Sequence, residues 1–211
     1  MKHTNDLCKR AIEEKNFDLL SEVMMKDSNQ FHSVCLDSWP PIHYLNDISF
    51  SIIDFVHFIN EIYAARNEDN FKHVCGYTFD AGSNAILLIR HPKFLNFIVR
   101  LLEQTFDKTS SADKSFVFDP LKLRDECLED KQFSLLTENE KIKFDRSFNK
   151  VGKGVKQAIL TKIGDGARIT EVKFLNTIRF LSIFSKSKLH YDFLFVFDGS
   201  RIVFLLKYKI W

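Results

Sequence analysis

Glycine is scarce in this chain, at 7 of 211 residues. A loop that cradles phosphates with backbone N–H groups needs several glycines close together, so there is little room for one. Cysteine is sparse and scattered. Cys8, Cys35, Cys75 and Cys127 form no Cys-x-x-Cys pair, and no His-x-x-x-His accompanies them. That spacing argues against a zinc site, and no metal ligands are assigned. Reduced thiols in a cytoplasmic protein are the expectation. Charge of one sign is lacking as well. A formal net charge of +2 gives no reason to expect a nucleic-acid or membrane-surface partner. Basic residues do not cluster with stacking aromatics, which counts against an RNA-binding module. The N-terminus carries a charged, helix-like stretch where a signal peptide would need an apolar core.

What is present is globular in character. Hydrophobic residues make up 45% and charged residues 27% of the chain. The length suits one ordinary domain, or a domain with a tail. Phenylalanine is abundant, with 22 copies.

Periodicity predicts a helix over 4–15, capped by Thr4, with Leu7, Ala11 and Ile12 on one side. A second helix runs over 17–25, and a third over 28–36 with Phe31, Val34 and Cys35 apolar. Trp39-Pro40-Pro41 stops it, because neither proline can donate a backbone hydrogen bond. Asn46-Asp47 reads as a cap for the clearest helix, 48–65. Its apolar stripe is Ile48, Ile52, Phe55, Val56, Ile59 and Ile62. His57 beside that stripe reads as a satisfied, partly buried side chain.

Strands are expected over 73–79 and 85–89, joined by the turn Asp80-Ala81-Gly82-Ser83-Asn84. Pro92 opens a helix reaching about Thr105. Residues 122–149 are charged, with short helical patches at best, and 155–163 read as a strand ended by Gly164-Asp165-Gly166. The fold class implied is α+β: a small antiparallel sheet with helices on one face.

The chain from Phe174 onward differs. It holds seven Phe, six Lys or Arg and two acids, a local net charge of +4. Two readings stand. The composition suits AT-rich codons, as intron read-through or a misjoined gene would supply. Alternatively, 191–197 and 202–210 flank Asp198-Gly199 as a hairpin that adds to the sheet. Asp192, Asp198 and Arg201 interrupt the apolar run, so a membrane span is not expected.

Several segments together resemble mevalonate-diphosphate decarboxylases. They are Met25-Lys26-Asp27-Ser28-Asn29-Gln30-Phe31-His32, Cys35-Leu36-Asp37-Ser38, Pro40-Pro41-Ile42, Tyr44-Leu45-Asn46, and Val56-His57 with Asn60. The most specific is Tyr77-Thr78-Phe79-Asp80-Ala81-Gly82 followed by Asn84-Ala85. Gly154-Val155-Lys156 and Gly164-Asp165-Gly166 are similar to the family's last strand and its exit. The likeness is dense over about 20–89, thin over 90–169 and absent beyond.

The resemblance implies the C-terminal, ferredoxin-like domain of a small-molecule kinase superfamily over 1–169, with an atypical tail over 170–211. The family's N-terminal domain, which binds ATP and the substrate diphosphate, is not expected within these residues. The implied reaction uses ATP and Mg. ATP phosphorylates the tertiary hydroxyl of mevalonate diphosphate, then phosphate and carbon dioxide leave and isopentenyl diphosphate remains. A homodimer is compatible with this reading. The family role of Asp80 is the base that orients and deprotonates that hydroxyl. Ala81 and Gly82 would let backbone N–H groups face a ligand, and Asp27, Ser28 and Asn29 would line the cleft.

Each assignment has a plainer counterpart. Asp80 and Gly82 are ordinary turn residues. Asp27 and Ser28 could simply cap a helix, and Ser28 and His32 would share one of its faces. Ser83 stands where the family usually has proline, which leaves the turn freer. As a whole the chain reads as a piece of the decarboxylase, inactive alone, or as a non-catalytic interaction module derived from it.

Overall fold

The computed structural model describes residues 2–66, 71–80, 82–107, 115–127, 135–149, 151, 154–163 and, as backbone, 202–208. Helix α1 (Lys2–Glu13) and helix α2 (Phe17–Asp37) form an antiparallel pair joined by a tight turn. Asn16 caps α2 by accepting from Leu19 N at 3.0 Å. The sequence predicted two helices over 17–36, whereas the structure has one. A single buried stripe runs through Phe17, Leu20, Ser21, Met25, Ser28 and His32 at spacings of three and four, so nothing breaks the helix midway. Its end is built by Ser38, whose hydroxyl donates to Cys35 O at 2.7 Å.

Helix α3 (Asp47–Arg66) starts where the sequence placed its cap. Asn46 Oδ1 accepts from Ser49 N, and Ser49 Oγ accepts from Asn46 N. By length and composition α3 could cross a membrane, but here Ile52, Phe55, Val56, Ile59 and Ile62 are all buried in the protein core. Phe55 meets the edges of Phe106 and Phe148 at ring-centroid distances of 5.8 and 5.9 Å. Truncating such a ring costs about 3–5 kcal/mol.

The strands β1 (Cys75–Thr78) and β2 (Ala85–Ile89) pair antiparallel as expected. A 3-10 turn at Pro92–Phe94 then leads into α4 (Leu95–Phe106). Beyond it come β3 (Val117–Phe118), the single-turn α5 (Leu123–Glu126), α6 (Glu138–Phe148) and β4 (Val155–Lys162). Helix α6 corrects the expectation of short patches. Thr137 and Glu140 form a reciprocal capping box, and Phe144 and Phe148, one turn apart, anchor the helix in the core. Two apolar positions are too few to register as periodicity, yet they suffice once α3 is there to meet them.

Strand β5 (Ile202–Tyr208) lies between β2 and β4, antiparallel to both, giving the order β1-β2-β5-β4-β3. It falls within 202–210, where the sequence expects the second arm of a hairpin. The first arm, 191–197, lies outside the described residues, as do Gly164-Asp165-Gly166. The α+β class holds, with two corrections. The β3–β4 pair is parallel, so the sheet is mixed. Helices also cover both faces rather than one. Cys75, Tyr77, Leu87 and Ile89 point into the core with α3 and α4. Their neighbours Gly76 and Leu88 point the other way, toward α1 and α2, where Leu88 joins Ala11, Phe17 and Leu20. Gly76 permits that approach. A Cβ there would sit 2.8 Å from Met24 Cε and 3.0 Å from Ser21 Oγ.

Candidate functional site

Among the described strands, β1 is at the edge of the sheet. One side of its backbone therefore has no partner strand among the described residues, an expensive state for buried groups. Two side chains take the place of the absent strand. At the start of β1, Asn60 of α3 accepts from Val74 N and Cys75 N at 2.9 and 3.0 Å, and donates to Cys75 O at 2.8 Å. At its end, Ser28 of α2 accepts from Phe79 N at 3.0 Å and donates to Phe79 O at 3.4 Å. Tyr77 between them donates its phenolic hydroxyl to Asn29 Oδ1 at 3.2 Å. Burial raises the Tyr77 pKa, and the Asn29 bond and the Asp54 charge act as lesser influences of opposite sign.

Asp80 follows directly and is exposed. Thr78 Oγ1 donates to its Oδ1 at 3.2 Å, across a single residue. The chain then turns. Gly82 has φ +109°, a value that strains any side-chain-bearing residue. Ser83, the departure from the family's proline, is buried, so the turn is tied to the core at that position. Ala81 lies outside the described residues. The result is an accessible carboxylate on a buried stem: Phe79 is 1% exposed beneath it.

Of the residues singled out from sequence, Ser28 meets the strand end that leads into Asp80, Asn29 meets the Tyr77 hydroxyl, and Gly82 lies in the turn two residues beyond Asp80. Asp27 does not join them. It is exposed, one residue round the helix, on the side where its charge reinforces the effect of burial in raising the Cys8 thiol of α1. His57 is exposed rather than partly buried, and sets its ring edge-on to Tyr77 at 5.8 Å.

Sequence reasoning missed Asn60 as a tether. Its signal was a lone amide inside an otherwise apolar helix face. His32 is buried, and neither ring nitrogen has a hydrogen-bond partner among the described residues. Its ring packs among Phe31, Tyr44 and Phe79, and burial lowers its pKa. Beside it an apolar ridge is exposed. Phe31 and Tyr44 stack at 6.3 Å, and Val34 and Trp39 are 71% and 96% exposed.

Other polar clusters serve the fold. Asp18 accepts from the backbone of Lys72 and His73 and pairs with Arg90, fixing the approach to β1. Burial lowers the His73 pKa, against the opposing charge of Asp18. A shallow depression lined by Asn96, Asp119, Lys122, Arg124 and Asp125 lies apart from Asp80. Asp119 there caps α5, and Arg124 pairs with Glu103. No group of three or more His, Cys, Asp or Glu converges on a metal position among the described residues.

The family model for the mevalonate 5-diphosphate decarboxylase C-terminal domain matches residues 1–170. Diphosphomevalonate decarboxylase of Saccharomyces cerevisiae is 32% identical over 174 residues, covering 81% of this chain and 39% of that protein. The Danio rerio protein of the same name is 34% identical over 162 residues, covering 77% of this chain and 36% of that protein. The Candida albicans one is 51% identical over 79 residues, covering 37% of this chain and 19% of that protein. The chain thus spans well under half the length of these relatives. Strand β5 falls beyond the matched residues, while the Ser28, Asn60 and Asp80 constellation falls within them. This chain belongs to the mevalonate 5-diphosphate decarboxylase C-terminal domain family.

Proposed function

We propose that the chain supplies the C-terminal-domain share of an ATP-dependent decarboxylase acting on mevalonate diphosphate to give isopentenyl diphosphate, in isoprenoid and sterol biosynthesis. The observation that carries this reading is Asp80. An exposed carboxylate is held by Thr78 Oγ1 on a stem pinned to α2, in a member of this family. Its task is to orient the tertiary hydroxyl and accept its proton as the oxygen becomes nucleophilic. A positioned base of this kind contributes about 10²–10⁴-fold. A Cβ at Gly82 would meet nothing within 4 Å, so the turn beside Asp80 is open, and Asn29 accepts from the Tyr77 hydroxyl.

ATP and a divalent ion such as Mg belong to the proposal, but these residues alone do not fit either. The sequence has no glycine-rich phosphate loop, and no carboxylate cluster forms among the described residues. Phosphoryl transfer depends on positioning and on neutralising phosphate charge. The isolated chain is therefore expected to release no carbon dioxide from ATP and mevalonate diphosphate. The four thiols are free, which fits a reducing compartment, and we place the protein in the cytoplasm.

A fusion tests the reading. The part of the Saccharomyces cerevisiae decarboxylase that this chain does not match would be joined to the 211 residues. Coupled release of ADP and carbon dioxide is expected from the fusion. Asp80→Asn should reduce kcat by about 10²–10⁴-fold. Turnover indifferent to Asp80→Asn would sink the assignment.

A second reading, an interaction module, draws on the ridge of Phe31, Val34, Trp39 and Tyr44. A homodimer through that ridge should appear in sedimentation and be lost in Trp39→Ser.

A further inference from the structure

In an antiparallel pair, the N–H and C=O of one residue point to the same side of the strand, and alternate residues point to opposite sides. Cys75 and Phe79 are four apart, so both direct their backbone groups away from β2, toward the open edge. Asn60 holds the first of these. The second is held by a single hydroxyl. Ser28 is 4% exposed and Phe79 1%, so water has little access to replace it. A hydroxyl carries one donor and two acceptor sites, enough to mimic one rung of a neighbouring strand.

A serine inside a helix commonly turns back to the carbonyl four residues earlier, as Ser33 does with Asn29 O at 2.9 Å. Ser28 instead reaches a residue 51 positions away. The Phe79 carbonyl it grips belongs to the planar peptide whose nitrogen is that of Asp80. Fixing that plane fixes the direction in which Asp80 leaves the strand. The Phe79 ring is held as well, between His32 one turn along α2 at 6.3 Å and Tyr77 at 5.8 Å.

We propose that Ser28 is a positioning residue for Asp80: its paired hydrogen bonds to the Phe79 backbone set the carboxylate in its productive direction. The catalytic consequence rests on the reading of Asp80 above, whereas the structural half stands without it. A misplacement of about 1 Å at a reacting group costs roughly 10²-fold in rate. The loss should therefore fall on kcat, because Ser28 is 4% exposed and acts through the Phe79 backbone.

Two measurements test this. In the 211-residue chain itself, amide exchange should show Phe79 N–H protected in the wild type and in Ser28→Thr, which keeps the hydroxyl. It should lose protection in Ser28→Ala while Cys75 N–H stays protected. In the fusion, Ser28→Ala should lower kcat about 10–100-fold with KM within about threefold, and Ser28→Thr should recover most of it. Val99→Ala, a core truncation in α4, serves as the control for lost stability and should leave kcat unchanged.

Persistent protection of Phe79 in Ser28→Ala would overturn the proposal. So would lost protection with an unchanged kcat in a fusion that still requires Asp80, or an equal fall of kcat in Val99→Ala. A fusion with no turnover would count against the decarboxylase reading instead. Side-chain couplings of Asp80 in the chain alone would then decide the point, with a single χ1 rotamer giving way to averaging in Ser28→Ala as the expected result.

Discussion

Replacing Asn60 by alanine removes three hydrogen bonds at one stroke. Val74 N, Cys75 N and Cys75 O lose their partners, and the residues carrying them are 2% and 0% exposed. Each buried group left unpaired costs about 1–3 kcal/mol. The three are adjacent, so their costs do not simply add, and some water will reach the vacated edge. A loss of about 3–4 kcal/mol follows, a large fraction of the 5–15 kcal/mol typical of a folded domain. For a chain of this size that is a fall of about 10 °C in Tm.

Urea denaturation of the 211-residue chain measures it, with the wild-type m-value as the check that the denatured state is unaltered. Asn60→Asp sharpens the test. Its carboxylate still accepts from the two N–H groups but faces Cys75 O with no proton to give. Protonation at low pH restores that donor, so the gap to wild type should narrow as pH falls. A loss under about 1 kcal/mol in Asn60→Ala would refute the reasoning, since it would mean that water serves the edge as well as the amide does.

Three further outcomes are expected. Gly76→Ala should destabilise by about 1–3 kcal/mol, because the new Cβ meets Met24 and Ser21 and pushes α2 off β1. Weakened exchange protection at Phe79 N–H would report that shift. Gly82→Ala should cost about 1–2 kcal/mol in urea denaturation through its φ of +109°, although the space around it is open; an unchanged midpoint would show that the turn relaxes freely. The third concerns pH. Burial would raise the Glu140 carboxyl, but hydrogen bonds from Arg66 and from the Thr137 backbone and hydroxyl outweigh it and bring the pKa down to about 2. A depressed acid contributes stability that is fully present above its unfolded pKa of about 4.3 and is lost as pH falls toward the folded value. Acid titration of stability between pH 5 and pH 2 should thus be steeper in wild type than in Arg66→Gln, by a part of the roughly 2–3 kcal/mol that the whole shift carries over the window, because the Thr137 hydrogen bonds remain in the variant.

Much of this protein is local and could be read along the chain. The stripe of α3, the Asn46 cap and the β1–turn–β2 unit each depend on residues within a few positions of one another. The Asp80 motif is of the same kind: a carboxylate, a glycine with positive φ and a threonine two residues away that fixes it. What was misread had a different cause. The sequence predicts separate helices over 17–25 and 28–36, yet Ser28 and His32 are buried on one continuous helix because β1 lies against them. Helix α6 looked too charged to form, since only Phe144 and Phe148 face a core that other elements supply.

Edges, faces and partners of the sheet belong to tertiary structure alone. Nothing near Ile202 in the chain tells that strand to enter between β2 and β4, and nothing near Val117 makes its pairing with Ala158 parallel. The same holds for the support of Asp80. The sequence determined that a carboxylate would sit in a glycine turn after a strand, because turn chemistry acts over a few bonds. Only the packing of α2 against β1 decided that a serine 51 positions away would hold the preceding peptide. Hydrogen bonds are satisfied by whatever group burial brings near, and burial is settled by the whole chain at once.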